Sequence, residues 1–117
     1  MSISMEALAG MDFSDVAEGG KLLPIHAGEI LREEFLVPLG MSANALAIAL
    51  QVPAPRINDI VLERRGISAD TAVRLAKFFG MGAEFWLGLQ ADYDRRMAEI
   101  KLAEVLTRIT RYEAVAA

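Results

Sequence analysis

The sequence predicts an all-α protein of five or six helices built around a helix-turn-helix. Apolar residues recur at spacings of three and four along most of the chain, and no segment shows the alternation typical of a strand. Residues 42–60 also have the spacing of two short helices joined by a tight turn, with small or apolar side chains where the helices must pack. These side chains are Leu46, Ala47, Leu50, Val52, Ile57 and Ile60.

Helix boundaries are predicted from capping residues and from prolines. Gly28–Val37 is predicted as the first helix, which we expect to end at Pro38 and Gly40. Ser42 and Ser68 are well placed as N-caps of two later helices. The later helices are predicted over Ala43–Leu50, from Pro53 and Pro55 to about Leu62, over Ala69–Phe79 and over Ala83–Met97. Buried stripes are expected at Ile30, Leu31, Phe35 and Leu36, at Val73, Leu75, Ala76 and Phe79, and at Phe85, Trp86, Leu87, Leu89 and Tyr93.

The apolar pattern of the last helix continues to Tyr112 without an intervening glycine or proline after Gly88. This region is therefore either one long helix or two collinear helices. Its stripe could be intramolecular core or a dimer interface, and we favour dimerisation through the helices after residue 83. Residues 98–117 are accordingly predicted to be a helical extension that dimerises.

Length and composition indicate a single domain with a substantial core. The chain has 117 residues, of which 54% are hydrophobic. Residues 23–97 are predicted to form the helix-turn-helix domain. Residues 1–22 are rich in Ser, Met, Ala, Gly and Asp, and we expect a flexible tail there, or else a segment that folds onto a partner. No long apolar run or secretion signal is present, so we expect a cytoplasmic protein without membrane spans.

The charge is unevenly distributed. The net charge is −4 overall, with −5 in residues 1–41, +2 in residues 42–80 and −1 in residues 81–117. The only cationic section therefore contains the helix-turn-helix. Because salt screens charges beyond about 8–10 Å, a local patch decides attraction to phosphates more than the total does.

The composition argues against catalysis and against a metal or cofactor site. The chain has no cysteine, and His26 is its single histidine, so the sequence offers no cluster for a metal and no Cys/His or Ser/His/Asp set that is more than chance. Glu29, Glu33 and Glu34 share a helix face, which is either a solvated surface or a surface for a basic protein. We therefore expect no enzyme activity and no cofactor.

The second helix of the motif carries the candidate residues for contact with bases in the major groove of DNA. The first helix of the motif and the connection after the second carry candidates for contact with phosphates. The base-contact candidates are Ala54, Pro55, Arg56, Asn58 and Asp59, and the phosphate-contact candidates are Ser42, Asn44, Arg64 and Arg65.

Several of these residues have a second interpretation. Arg56 could contact guanine, contact a phosphate or remain solvated, and Asn58 could point sideways toward the turn. Asp59 could accept a hydrogen bond from cytosine or pair with Arg56. Ser42 could act as a helix cap, with or without a phosphate contact, and Arg64 and Arg65 could lie in a solvated loop.

Four segments resemble the HigA-type antitoxins, which are lambda-repressor-like helix-turn-helix proteins of the wider XRE family. They read PIHAGEILREEFLVPLG, SANALAIALQVPAPRINDIV, RRGISADTAVRLAKFFG and AEFWLGLQADYD, and they lie between Leu23 and Met97. The resemblance implies a homodimer that binds double-stranded operator DNA and represses its own operon. It also implies a small basic partner, a toxin of the RelE/HigB-like mRNA endonuclease type. A regulator without a toxin, or an interaction module that has lost DNA binding, are the alternatives.

The sequence departs from the family pattern at three places. Ala54 and Pro55 stand where relatives commonly have polar or basic residues, so at least one contact with DNA is expected to be missing. Leu62-Glu63-Arg64 replaces a common Asn-Gly-Lys, which is expected to alter how the helix ends. Ala27 replaces a common proline. The operator sequence is therefore not transferable from relatives.

Overall fold

The first helix, α1, spans Ala27–Leu39 in a computed structural model that describes residues 23–113. His26 caps it, because His26 Nδ1 accepts a hydrogen bond from Gly28 N at 2.8 Å. Within α1, Leu31–Leu36 forms a wider π-helical turn, in which Val37 N–H donates to Arg32 O.

The prediction that Pro38 ends the first helix is wrong. The π-helical turn shifts the hydrogen-bond pairing just before Pro38, which has no N–H to contribute, and the helix continues to Leu39. Gly40 ends α1 as predicted, with a φ of 63° in the left-handed region that glycine favours.

Five further helices follow in the described part of the chain. They are α2 (Ala43–Leu50), α3 (Ala54–Val61), α4 (Ala69–Phe79), α5 (Ala83–Lys101) and α6 (Ala103–Leu106). The predicted serine caps are confirmed, since Ser42 Oγ accepts from Ala45 N at 3.0 Å and Ser68 Oγ accepts from Thr71 N at 3.3 Å. The all-α fold class is thus as predicted.

The helix-turn-helix consists of α2, a turn at residues 51–53 and α3. Gln51 adopts a left-handed φ of 60°, and Val52 N donates to Ala47 O at 3.0 Å, which closes the end of α2. The predicted packing positions of the motif are buried, except that Val52 is half-buried against the core. α1, α4 and the start of α5 complete the core, in which Trp86 is fully buried as predicted.

Two residues of the predicted buried stripes are exposed instead. Val73 is 59% exposed and Leu87 is 39% exposed. α4 turns Thr71, Ala72 and Leu75 toward the core, which places Val73 on the opposite side of the helix. The fully buried Trp86 likewise fixes which side of α5 faces inward.

The chain after residue 97 departs furthest from the core. α5 extends four residues beyond the predicted end, and the helix is interrupted at Leu102, which has a φ of −98° and a ψ of 8°. The helix predicted to reach Tyr112 ends at Leu106, so Ile109 and Tyr112 are not helical. Residues 97–113 are exposed throughout, and the principal-axis extents of 59 × 28 × 27 Å reflect this protrusion.

The predicted tail over residues 1–22 lies outside the described residues, as do residues 114–117.

Among residues 23–113, no single helix is long and apolar enough to cross a membrane. α1 and α2 together are long and apolar enough, but they are bent by 97° relative to each other, and the match concerns length and composition only.

Candidate nucleic-acid interface

The recognition helix α3 divides its residues between the core and a polar face. Ile57, Ile60 and Val61 point into the core. Pro55 is exposed, and the side chain of Arg56 is 30% exposed. Ala54 was expected to point outward, but it is half-buried and packs against the core, because it opens the helix next to the turn.

Arg56 is bonded to a residue of another helix. Its Nη1 donates to Asp70 Oδ1 on α4 at 2.6 Å, and Arg74 Nε donates to the same oxygen at 2.7 Å. These hydrogen bonds, first from Arg74 and then from Arg56, hold the pKa of Asp70 below its usual value. Arg74 Nη1 in turn donates to Leu50 O at the end of α2 at 2.8 Å.

Asn58 points sideways, but toward the amino end of α2 and not toward the turn. Its Nδ2 donates to Asn44 Oδ1 at 2.9 Å and to Ala54 O at 3.0 Å. Asn44 and Asn58, predicted separately as phosphate and base contacts, are therefore neighbours. Their hydrogen bond links the two helices of the motif on the polar face.

Asp59 does not pair with Arg56, so that interpretation is wrong. Asp59 Oδ2 lies 3.7 Å from Arg65 Nη2, whereas Arg56 is bonded to Asp70 instead. Within residues 23–113, no carboxylate lies within 4.0 Å of a side-chain nitrogen of the exposed Arg64. Arg64 therefore offers positive charge beside the end of α3.

The amino end of α2 borders the same face. Ser42 Oγ is occupied as the acceptor of the cap bond, while its hydroxyl hydrogen and the first backbone N–H groups of the helix can still donate. A helix start of this kind is suited to a phosphate oxygen. Capping and phosphate contact are thus compatible at Ser42.

α1 fixes the other end of α3. Arg32 Nη1 donates to Val61 O and lies 3.4 Å from Glu63 Oε2. Glu63 stands where the Asn-Gly-Lys pattern of the family has its glycine. With a φ of 61°, Glu63 nevertheless adopts the left-handed conformation that glycine favours. The chain therefore keeps a left-handed residue after the recognition helix without the glycine.

Sequence reasoning missed Asp70, Arg74 and Arg32 as residues that hold this surface together. The spacing of four between Asp70 and Arg74 could have indicated their ion pair. Nothing in the sequence indicates the contacts of Asp70 with Arg56, 14 residues away, or of Arg32 with Val61, 29 residues away.

These elements define a helix-turn-helix protein with an all-α, lambda-repressor-like core. No family model matches the chain. It is 61% identical over 75 residues to virulence-associated protein I of Dichelobacter nodosus, a match that covers 64% of this chain and 69% of that protein. Solved structures that are 48% identical to this chain include two antitoxins with DNA. Antitoxin HigA of Pseudomonas aeruginosa with the higBA promoter has a TM-score of 0.73 and is matched over 75% of this chain and 96% of that one. Antitoxin GraA in complex with its operator has a TM-score of 0.74, with 80% and 95% covered. The chain belongs to the HigA family of antitoxins.

Proposed function

We propose that the protein binds the operator of its own operon as a dimer, with α3 in the major groove, and represses that operon. The main support is the likeness to two antitoxins whose structures contain promoter or operator DNA. The polar face of α3 and the only net-positive section of the chain coincide, as DNA binding requires.

In this proposal Arg56 supplies the main base contact, through paired hydrogen bonds to guanine O6 and N7. Asn58 and Asp59 offer polar contacts, whereas Pro55 and the exposed edge of Ala54 offer only apolar ones. Ser42 and Asn44 would contact phosphates from α2, and Arg64 and Arg65 would do so from the connection after α3.

Measuring operator affinity by mobility shift on the upstream region tests this assignment. Arg56→Ala should weaken binding by roughly tenfold to a hundredfold, since a paired contact with guanine is worth about 1–3 kcal/mol. Arg95→Ala is the matched control, because Arg95 is an exposed arginine of α5 with two carboxylate partners. Equal affinities for Arg56→Ala and the control would contradict the assignment.

We further propose that the protein neutralises a small basic toxin of the RelE/HigB-like type in the cytoplasm. Its membership of the HigA family supports this role. The acidic side chains of α1, Glu29, Glu33 and Glu34, offer a surface of complementary charge, although Glu33 is paired with Arg32 at 2.7 Å. No catalytic step is proposed for this chain.

Co-expression with the adjacent reading frame tests the antitoxin role. The neighbouring product should stop growth when expressed alone and should be harmless together with this chain. A neighbour without toxicity would instead favour a regulator that has no toxin partner. Retained operator binding would separate that outcome from an interaction module without DNA binding.

A further inference from the structure

We propose that Asp70 is a positioning residue for DNA recognition, which orients the guanidinium of Arg56 toward a guanine of the operator. This inference rests on the proposed function, because it requires that Arg56 contacts a base. Asp70 lies in the first turn of α4, outside the helix-turn-helix.

The contact between Arg56 and Asp70 restricts an otherwise flexible side chain. Arg56 Nη1 donates to Asp70 Oδ1 at 2.6 Å, across two helices. An arginine loses considerable rotamer freedom when it binds a base, and fixing it beforehand reduces that loss. Asp70 would therefore favour one direction of approach.

Asp70 is 56% exposed but is held by a second arginine, which links the orientation of Arg56 to α2 and α4. Arg74 Nε donates to Asp70 Oδ1 at 2.7 Å, and Arg74 Nη1 donates to Leu50 O at 2.8 Å. These bonds connect the end of α2 through α4 to the recognition helix. A carboxylate in the first turn of α4 is also favoured by the dipole of that helix.

The bond to Asp70 leaves Arg56 able to contact DNA at the same time. A guanidinium has five N–H donors, and within the described part of the chain Arg56 uses only Nη1. Nε and Nη2 remain available as a pair, and guanine offers O6 and N7 as paired acceptors. Asp70 and guanine can thus bind different edges of one guanidinium.

The experiment compares affinities for the operator and for operators with each guanine substituted in turn. In the wild type, one substitution should reduce affinity by about tenfold or more, and Arg56→Ala should abolish that preference. Asp70→Asn keeps the shape of the side chain but removes its charge. In this variant the same guanine substitution should reduce affinity by only about threefold or less. Affinity for unrelated DNA should not fall, because removing an acidic group does not weaken phosphate attraction.

Asp92→Asn is the matched control, because Asp92 also accepts hydrogen bonds from two arginines, Arg95 and Arg96, but lies on α5. It should leave the base preference unchanged. Circular dichroism checks folding, and Asp70→Glu, which keeps the charge but moves it by one methylene, replaces Asp70→Asn if that variant does not fold. For Asp70→Glu we expect a base preference between those of the wild type and Arg56→Ala, and a wild-type preference would overturn the inference.

Two results with Asp70→Asn would overturn the inference. If it binds the operator more tightly with full base preference, then Asp70 competes with DNA for Arg56. If it matches the wild type while Arg56→Ala loses the preference, Asp70 has no positioning role although the proposed function stands. Arg56→Ala without any effect on base preference also removes the inference, and a wild type that does not prefer its operator removes the proposed function itself.

Discussion

Gly28 brings the backbone of α1 close to the recognition helix. A Cβ atom added there would lie 1.8 Å from Ile60 O, which belongs to the backbone and cannot rotate away. Only glycine permits this approach. The contact matters for the interface because it sets how closely α1 packs against α3.

We therefore expect Gly28→Ala to destabilise the protein by at least about 2–3 kcal/mol, since the two helices must move apart. Urea unfolding followed by circular dichroism measures this. Gly88→Ala is the control, because nothing lies within 4 Å of its added Cβ on α5. Gly88→Ala should raise stability by about 0.5–1 kcal/mol through helix propensity, and a similar loss in both variants would contradict the expectation.

Asp70 also makes stability depend on pH in the acid range. Its pKa in the folded protein lies below the ordinary value of 3.8, because Arg74 and Arg56 stabilise the carboxylate. A carboxylate with a lowered folded pKa adds stability above its unfolded pKa, and that stability is lost as the pH falls through the folded value.

Thermal unfolding of the wild type and Asp70→Asn between about pH 5 and pH 2 checks this. The wild type should have the higher Tm at the upper end, and the two values should converge as the pH falls below 3.8. A Tm difference that is constant over this range would show that Asp70 stabilises the fold without its charge.

At the scale of elements, α3 contacts three other helices through polar side chains. Asn44 of α2 binds Asn58, Asp70 of α4 binds Arg56, and Arg32 of α1 binds the carbonyl of Val61. The helix is only eight residues long and would be marginal alone. Packing and these bonds fix its position, so its polar face is largely pre-organised.

The connection after α3 gives a different prediction, because Arg64 and Arg65 are expected to contact phosphates rather than bases. Arg64→Ala should weaken binding to the operator and to unrelated DNA by a similar factor. It should also reduce the slope of log affinity against log salt concentration by about 1. Affinity measured at several salt concentrations tests this. Arg95→Ala should leave the slope unchanged, and a loss confined to the operator would instead make Arg64 a base contact.

At the scale of the whole molecule, the C-terminal segment leaves its apolar residues without a partner in the described chain. Met97 is 40% exposed, Ile100 is 56% exposed and Leu106 is 45% exposed. The interpretation of this stripe as intramolecular core is therefore wrong for these residues. Dimerisation through them stays a prediction, supported by the need of a two-fold operator for two linked recognition helices.

We expect Ile100→Asp to be monomeric in sedimentation experiments and to bind the operator more weakly, because two half-sites about 34 Å apart are no longer bound by one dimer. Val37→Asp introduces the same charge at an exposed apolar residue of α1 and serves as the control. If Ile100→Asp sediments as the wild type does, the interface lies elsewhere.

The sequence by itself determined the helix starts at Ser42 and Ser68, the buried positions of the helix-turn-helix and the burial of Trp86. Caps and helical periodicity depend on neighbours within about four residues, so they can be recognised along the chain. The sequence did not predict correctly where the first helix ends, because a π-helical turn precedes Pro38. It also did not predict that Val73 is exposed, because the side of α4 that faces the core depends on the neighbouring helices. Only the tertiary structure decided that Arg56 is bonded to Asp70, that Asn58 turns to Asn44 and that Asp59 faces Arg65. These partners are brought together by the angles at which helices pack, and no local pattern in the sequence specifies those angles.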